Sequence, residues 1–303
     1  MKKYISELLG TFFITLVGVG SLLSINFMVS AMGMMLPYGF SAFLSATAFA
    51  VTTGLMYYIF SSISGGHFNP AISLAVFIED GVKKVKDLLL YIVFQILGAA
   101  FALGLLVFIT AQRGNIGQVG YGELSPLYMG VIPAILVEIV LTILLVLIFL
   151  VGRKKKEENK ANEGGIAIAI GASVFSCYSF GILATGGGLN PAKILVAGLI
   201  SGGTALQQLP IFVILPFIGG IFAFLIFKGL FKENIKEITV NQEQETEEIE
   251  EITENTTEDT NPSGQASDNE LESDCEILEP EQMQAKLDAE ILETEKEENK
   301  EEQ

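Results

Sequence analysis

The chain has 303 residues, half of them hydrophobic, with a mean hydropathy of +0.50 and a formal charge of −17. Apolar runs of about 20 residues recur, long enough to cross a bilayer as helices, and they exclude an ordinary water-soluble globular domain. The charge is uneven: residues 239–303 hold 24 Asp and Glu against three Lys, a balance of −21, while the rest stands at +4.

The first apolar run covers 5–24, behind Lys2 and Lys3. Glu7 interrupts it and further spans follow, so it reads as a retained span rather than a cleaved leader. Further spans are predicted near 39–61, 88–109, 131–151, 165–183 and 209–230. Lys2 and Lys3, Lys83 to Lys86, Arg153 to Lys156, and Lys228 with Lys232 mark alternate connections, whereas the opposite ones hold little beyond Arg113 and Lys193. By the positive-inside bias both termini and the 79–87 and 152–163 loops are cytoplasmic.

After the second span comes "SGGHFNPAIS" (64–73), and after the fifth comes "GGGLNPAKIL" (186–195). Asn is a strong helix N-cap and Pro is favoured at the first helical position, so helices are predicted to start at Asn69-Pro70-Ala71 and Asn190-Pro191-Ala192. Each is about 10 residues, too short to span at 1.5 Å per residue. The glycines before them allow tight non-helical turns, which at membrane depth persist only where protein buries them or water lines them.

Glu7 in the first span and Glu138 early in the fourth are each followed by two more spans with an Asn-Pro-Ala element between. Three spans per half invert the second half relative to the first, a plan of solute-moving membrane proteins. The predicted fold is therefore all-α: six transmembrane helices plus two re-entrant half-helices, with half-repeats about 1–125 and 126–236. The two half-helices should meet N-terminus to N-terminus near the midplane. Each capping Asn spends its carbonyl oxygen on its own helix and keeps its amide as donor. Two such donors, beside two positive helix ends, suit a small neutral molecule and repel cations.

Over residues 5–230 the sequence resembles the major intrinsic protein family, aquaporins and glycerol facilitators, through "SELLGTFF", "SGGHFNPAISLAV", Glu138, "GGLNPAK" and "SGGTALQQLPIFVILPFIGG". The resemblance implies a homotetramer with one passive pore per subunit, in the cell membrane. It gives Glu7 and Glu138 the role of bracing the loops before the half-helices. It also implies an outer filter of Phe49, Gly187, Lys193 and a fourth residue at Tyr178, or Cys177 if the alignment shifts by one. The family nearly always has Arg at the position of Lys193, so a rigid planar fork is replaced by a flexible point charge. Ile194, Phe212 and the short "VAGLISGGTALQQL" connection resemble water channels, whereas Gly187 widens the mouth. Water is the expected solute, with glycerol or another small neutral solute as the alternative.

His67, the single histidine, has no companions at metal-ligand spacing, and no metal or cofactor is expected. It reads as a loop-bracing or pore-lining group, with gating by protonation as the alternative. Cys177 and Cys275 indicate no disulfide framework. Residues 237–303 are too acidic and too poor in apolar residues to fold alone, and disorder is expected there. That tail reads as solubilising, or as a dock for a basic cytoplasmic partner. A membrane scaffold acting through the tail is the rival reading of another class. No nucleophile–base pair or nucleotide loop points to an enzyme, "GGG" at 186–188 lacking the lysine-serine ending of a phosphate loop. Nothing points to nucleic acid.

Overall fold

The computed structural model describes residues 1–31, 38–82, 84–111 and 116–231; the acidic tail expected to be disordered lies outside them. Among these residues are eight α-helices and one 3-10 turn, Gly122–Leu124, with no strand. Six helices are long and apolar enough to span a bilayer: α1 (Lys2–Ala31), α2 (Tyr38–Ser64), α4 (Val85–Thr110), α5 (Val131–Glu157), α6 (Glu163–Thr185) and α8 (Gly203–Phe231). Two short ones, α3 (Pro70–Glu79) and α7 (Pro191–Ser201), stand where the Asn-Pro-Ala elements predict them.

Three boundaries differ from expectation by six or seven residues, the first being α1, which runs on from the predicted end at 24 to Ala31. Helix α5 continues six residues past the predicted end at 151, through the basic run. There Arg153 pairs with Glu157, and Lys154 with Glu158, along one helix face. Helix α8 starts at Gly203 rather than near 209, and the connection from α7 shrinks to Gly202, at φ 64°. A left-handed glycine turns the chain there without a loop. Pro210 and Pro216 sit inside α8, Pro216 buried and Pro210 exposed.

The two halves repeat each other in detail. Helix α1 packs on α2 and α4, and α5 packs on α6 and α8. A Cβ at Gly98 of α4 would lie 2.4 Å from Leu8 O of α1, and one at Gly219 of α8 would lie 3.0 Å from Ile139 O of α5. The absent side chains let these backbones touch. The halves join where α2 crosses α6: a Cβ at Gly54 would lie 3.1 Å from Ala167 O, and one at Gly171 would lie 3.0 Å from Ala50 O. The half-helices interlock the two units, because α3 packs against α8 as well as α4, and α7 against α4 as well as α8.

Large apolar side chains cover the outside, with Phe108 86% and Ile168 75% exposed. Lipid is the solvent that such a surface requires. Some hydroxyls inside the spans are satisfied locally: those of Thr53 and Thr110 donate to the carbonyls one turn back.

Candidate functional site

The loops before α3 and α7 have matching backbones. Gly65 and Gly66 have φ of 90° and 69°, and Gly186 and Gly187 have φ of 96° and 71°. Phe68 and Leu189, immediately before the two asparagines, are both left-handed at φ 49° and 58°. Such a conformation costs a bulky residue about 1–3 kcal/mol and persists only where surroundings enforce it.

The enforcing groups are Glu7 and Glu138. Glu7 is fully buried and accepts from His67 N (3.0 Å) and Phe68 N (2.6 Å). Glu138, equally buried, accepts from Gly188 N (3.1 Å), Leu189 N (2.9 Å) and the Thr185 hydroxyl. Each carboxylate thus meets two successive loop N–H groups, the charge-assisted bonds that offset its burial. The first half adds Gln95, whose Nε2 donates to Glu7 Oε2 (2.8 Å) and Ser73 Oγ (2.9 Å). Gln95 escaped the sequence reading, although a lone amide in the apolar run "YIVFQILGAAF" was a legible signal. His67 Nδ1 lies 3.2 Å from Ser73 Oγ, with its ring edge-on to Tyr91 and Phe149.

Left-handed turns at Phe68 and Leu189 aim their carbonyls across the centre of the molecule. Asn69 Nδ2 donates to Leu189 O and Asn190 Nδ2 to Phe68 O, both at 2.9 Å. Each Asn Oδ1 caps its own helix, accepting from Ala71 N (2.9 Å) and Ala192 N (3.0 Å). The caps fix which way each amide points, since the backbone N–H requires an oxygen. One of the two Nδ2 protons is therefore committed across the centre, and one remains on each asparagine. Pro70 and Pro191 occupy the first helical positions, and Ala71 and Ala192 supply the capped N–H groups.

Both asparagines border one narrow cavity of about 40 Å³, which also touches His67, Phe68, Ile72, Phe149, Val174, Phe49 and Tyr178. On one side His67 and Phe149 also border a wider vestibule of about 490 Å³. Its mouth is ringed by ion pairs: Lys3 with Asp87 (2.8 Å), and Arg153 with Asp80 (2.6 Å) and Glu79 (3.3 Å).

At the other end Phe49 and Tyr178 stack, ring centroids 4.3 Å apart. Tyr178 Oη donates to Gly188 O (3.3 Å), and buried Lys193 donates through Nζ to Gly187 O. Phe49, Tyr178, Gly187 and Lys193 are thus neighbours. Cys177 is turned away: its thiol donates to Leu141 O of α5 (3.3 Å), and it does not border the cavity. Residues 116–130 clamp this end, with Gly120 N donating to Thr185 O (2.9 Å), Ser125 Oγ to Ala184 O, and Tyr121 N to Gln208 Oε1 (2.8 Å). Spacing between motifs carried no signal for these clamps. No cluster of three metal-ligating side chains occurs among the described residues.

The profile of the major intrinsic protein family matches residues 1–227. Aquaporin Z of Brucella melitensis is 34% identical over 235 residues, covering 76% of this chain and 98% of that protein. Aquaporin Z of Rhodopseudomonas palustris is 30% identical over 239 residues, covering 77% and 94%. Among solved structures, the aquaglyceroporin from Plasmodium falciparum superposes with a TM-score of 0.63 at 17% identity, covering 76% of this chain and 96% of that one. At that identity the likeness speaks for the fold.

Proposed function

The chain belongs to the major intrinsic protein family, a multi-pass membrane channel family, and from that premise we propose that it is a passive pore for water. The observation that carries this reading is the reciprocal asparagine pair beside one narrow cavity. The remaining Nδ2 proton of each asparagine is a donor available to a water oxygen. A water held by two donors spends its lone pairs there and turns its protons away, which interrupts a proton-conducting chain. The N-termini of α3 and α7 each add about half a positive charge at the same point and repel cations.

Phe49, Tyr178, Gly187 and Lys193 form the outer filter in this reading, and Glu7, Glu138 and His67 hold the loops. The stacked rings fill space that a carbon chain would need, which favours water over glycerol. Lys3, Arg153 and Lys156 gather at the vestibule end, which supports a cytoplasmic vestibule and a plasma-membrane orientation with both termini inside. A homotetramer is proposed from family membership. Proteoliposomes carrying the full chain, challenged with sorbitol and then glycerol gradients, test the function. Water permeability above bare liposomes, with little glycerol entry, is the expected result; no increase in either removes the channel reading and leaves the scaffold. Replacement by Lys193→Arg should tighten rejection of larger solutes.

A further inference from the structure

We propose that Lys2, Lys86, Lys155 and Lys228 are seats for the headgroups of anionic phospholipids on the vestibule side of the membrane. This concerns the lipids around the protein and does not depend on which solute the pore carries. The cations on that side fall into two groups. Lys3 pairs with Asp87, Arg153 with Glu79, Asp80 and Glu157, Lys154 and Lys160 with Glu158, and Lys156 with Glu163. Of these, Lys3, Arg153 and Lys156 border the vestibule, together with the unpaired Lys84. Lys2, Lys86, Lys155 and Lys228 are exposed, stand outside that wall, and make no ion pair among the described residues. All four lie at the vestibule's level. Lys2, Lys86 and Lys155 are the chain neighbours of Lys3, Asp87 and Lys156, and Lys228 lies one turn before Phe231, whose carbonyl accepts from Lys154.

Each unpaired lysine also closes an exposed apolar stripe at helical spacing. Lys86 heads the face of α4 that exposes Leu89, Val93 and Leu97. Lys228 follows Ile221 and Leu225 on α8, and Lys155 follows Val140 and Leu144 on α5 at whole-turn spacing. Lys2 precedes Ile5 and Phe13 on α1. One leaflet of hydrocarbon is about 15 Å, or about ten residues of helix, so an acyl chain along such a stripe brings its phosphate to the lysine. The lysine stem lies on the apolar face and its ammonium reaches the headgroups. An ammonium without a carboxylate partner gains most from a phosphate whose charge is not offset by a choline of its own. Helices α2 and α6, which pack on each other, contain no Lys or Arg, so the seats are confined to the other four spans. Charge is thus sorted by face: ion pairs inside the mouth, bare lysines above the lipid-facing stripes.

The test is native mass spectrometry of the full chain in detergent, titrated with phosphatidylglycerol or phosphatidylcholine, counting the lipids retained per subunit. Each seat should hold phosphatidylglycerol about fivefold more tightly than phosphatidylcholine, the effect of one lysine at an anionic surface. That preference should shrink as salt is raised. Lys86→Gln and Lys228→Gln should each remove one tightly held phosphatidylglycerol per subunit, and the variant with all four lysines replaced should lose the preference. Lys156→Gln, which alters a paired lysine, should remove none. Equal retention of both lipids by the wild type overturns the proposal, as does an undiminished preference in the fourfold variant or the same loss in Lys156→Gln. Displacement of phosphatidylglycerol by inorganic phosphate, beyond that caused by chloride at equal ionic strength, makes these free-anion sites and overturns the lipid assignment. If the fourfold variant does not fold, the two single variants decide: loss of one lipid in each supports the seats, and no loss overturns them.

Discussion

Asn69 and Asn190 hold each other's loops: each donates from Nδ2, at 2.9 Å, to the carbonyl of the residue preceding the other. The two bonds form a two-fold clasp between segments about 120 residues apart in the chain.

Removing one asparagine breaks a cap and a cross-bond together. Asn69→Ala or Asn190→Ala should each lose about 1–2 kcal/mol from the cap alone, and water permeability should fall at least about tenfold as the loop carbonyls lose their fixed partner. The double variant should lose both caps, about 2–4 kcal/mol, while its permeability should be little worse than that of either single one, since the clasp acts as a unit. Stopped-flow permeability and melting in detergent measure both effects.

Glu7 and Glu138 each accept two successive loop N–H groups, which no amide can do with both of its heads. Glu138→Gln forces an NH₂ group toward Gly188 N, Leu189 N or the Thr185 hydroxyl, and should lower the melting temperature by several degrees. Gln95→Leu removes a donor from Glu7 but leaves its two backbone bonds, so its loss should be smaller.

The helix crossings make a sharper distinction. Gly98→Ala places a methyl 2.4 Å from Leu8 O, and Gly219→Ala places one 2.7 Å from Thr142 Cβ; both should lower the yield of folded protein. Gly104→Ala and Gly229→Ala meet nothing within 4 Å and should be neutral or slightly stabilising. Size-exclusion profiles in detergent separate the two outcomes.

Cys177 faces α5, with its thiol on Leu141 O. Mercuric chloride should therefore leave water permeability of the wild type unchanged. Tyr178→Cys should become mercury-sensitive, because that side chain borders the narrow cavity. Block of the wild type, relieved by Cys177→Ser, would place the thiol in the water path.

His67 has the environment of a neutral ring. Ser73 Oγ accepts from Gln95 and can donate its own proton to a neutral His67 Nδ1, 3.2 Å away. Protonation would set a second donor against that serine, so permeability should be flat between about pH 5 and 8. A step near pH 6 that disappears in His67→Ala would instead make His67 a gate.

The spans, the two half-helices and their starting residues could be read from the sequence, because each follows from local rules. Run length against bilayer thickness gives the spans, and Asn followed by Pro fixes the start of a helix. Glu7 and Glu138 were visible as carboxylates misplaced in apolar runs. That they brace the loops before the half-helices was legible only through the family resemblance, since their partners at 67–68 and 188–189 depend on how helices pack across the molecule. The same reason hid Gln95, the clamp from residues 116–130, and the choice between Tyr178 and Cys177. Adjacent helical residues point about 100° apart, and only the packing of α6 against α2 and α5 turns Tyr178 onto Phe49 and Cys177 onto Leu141. Sequence set which groups were available; tertiary packing decided which of them meet.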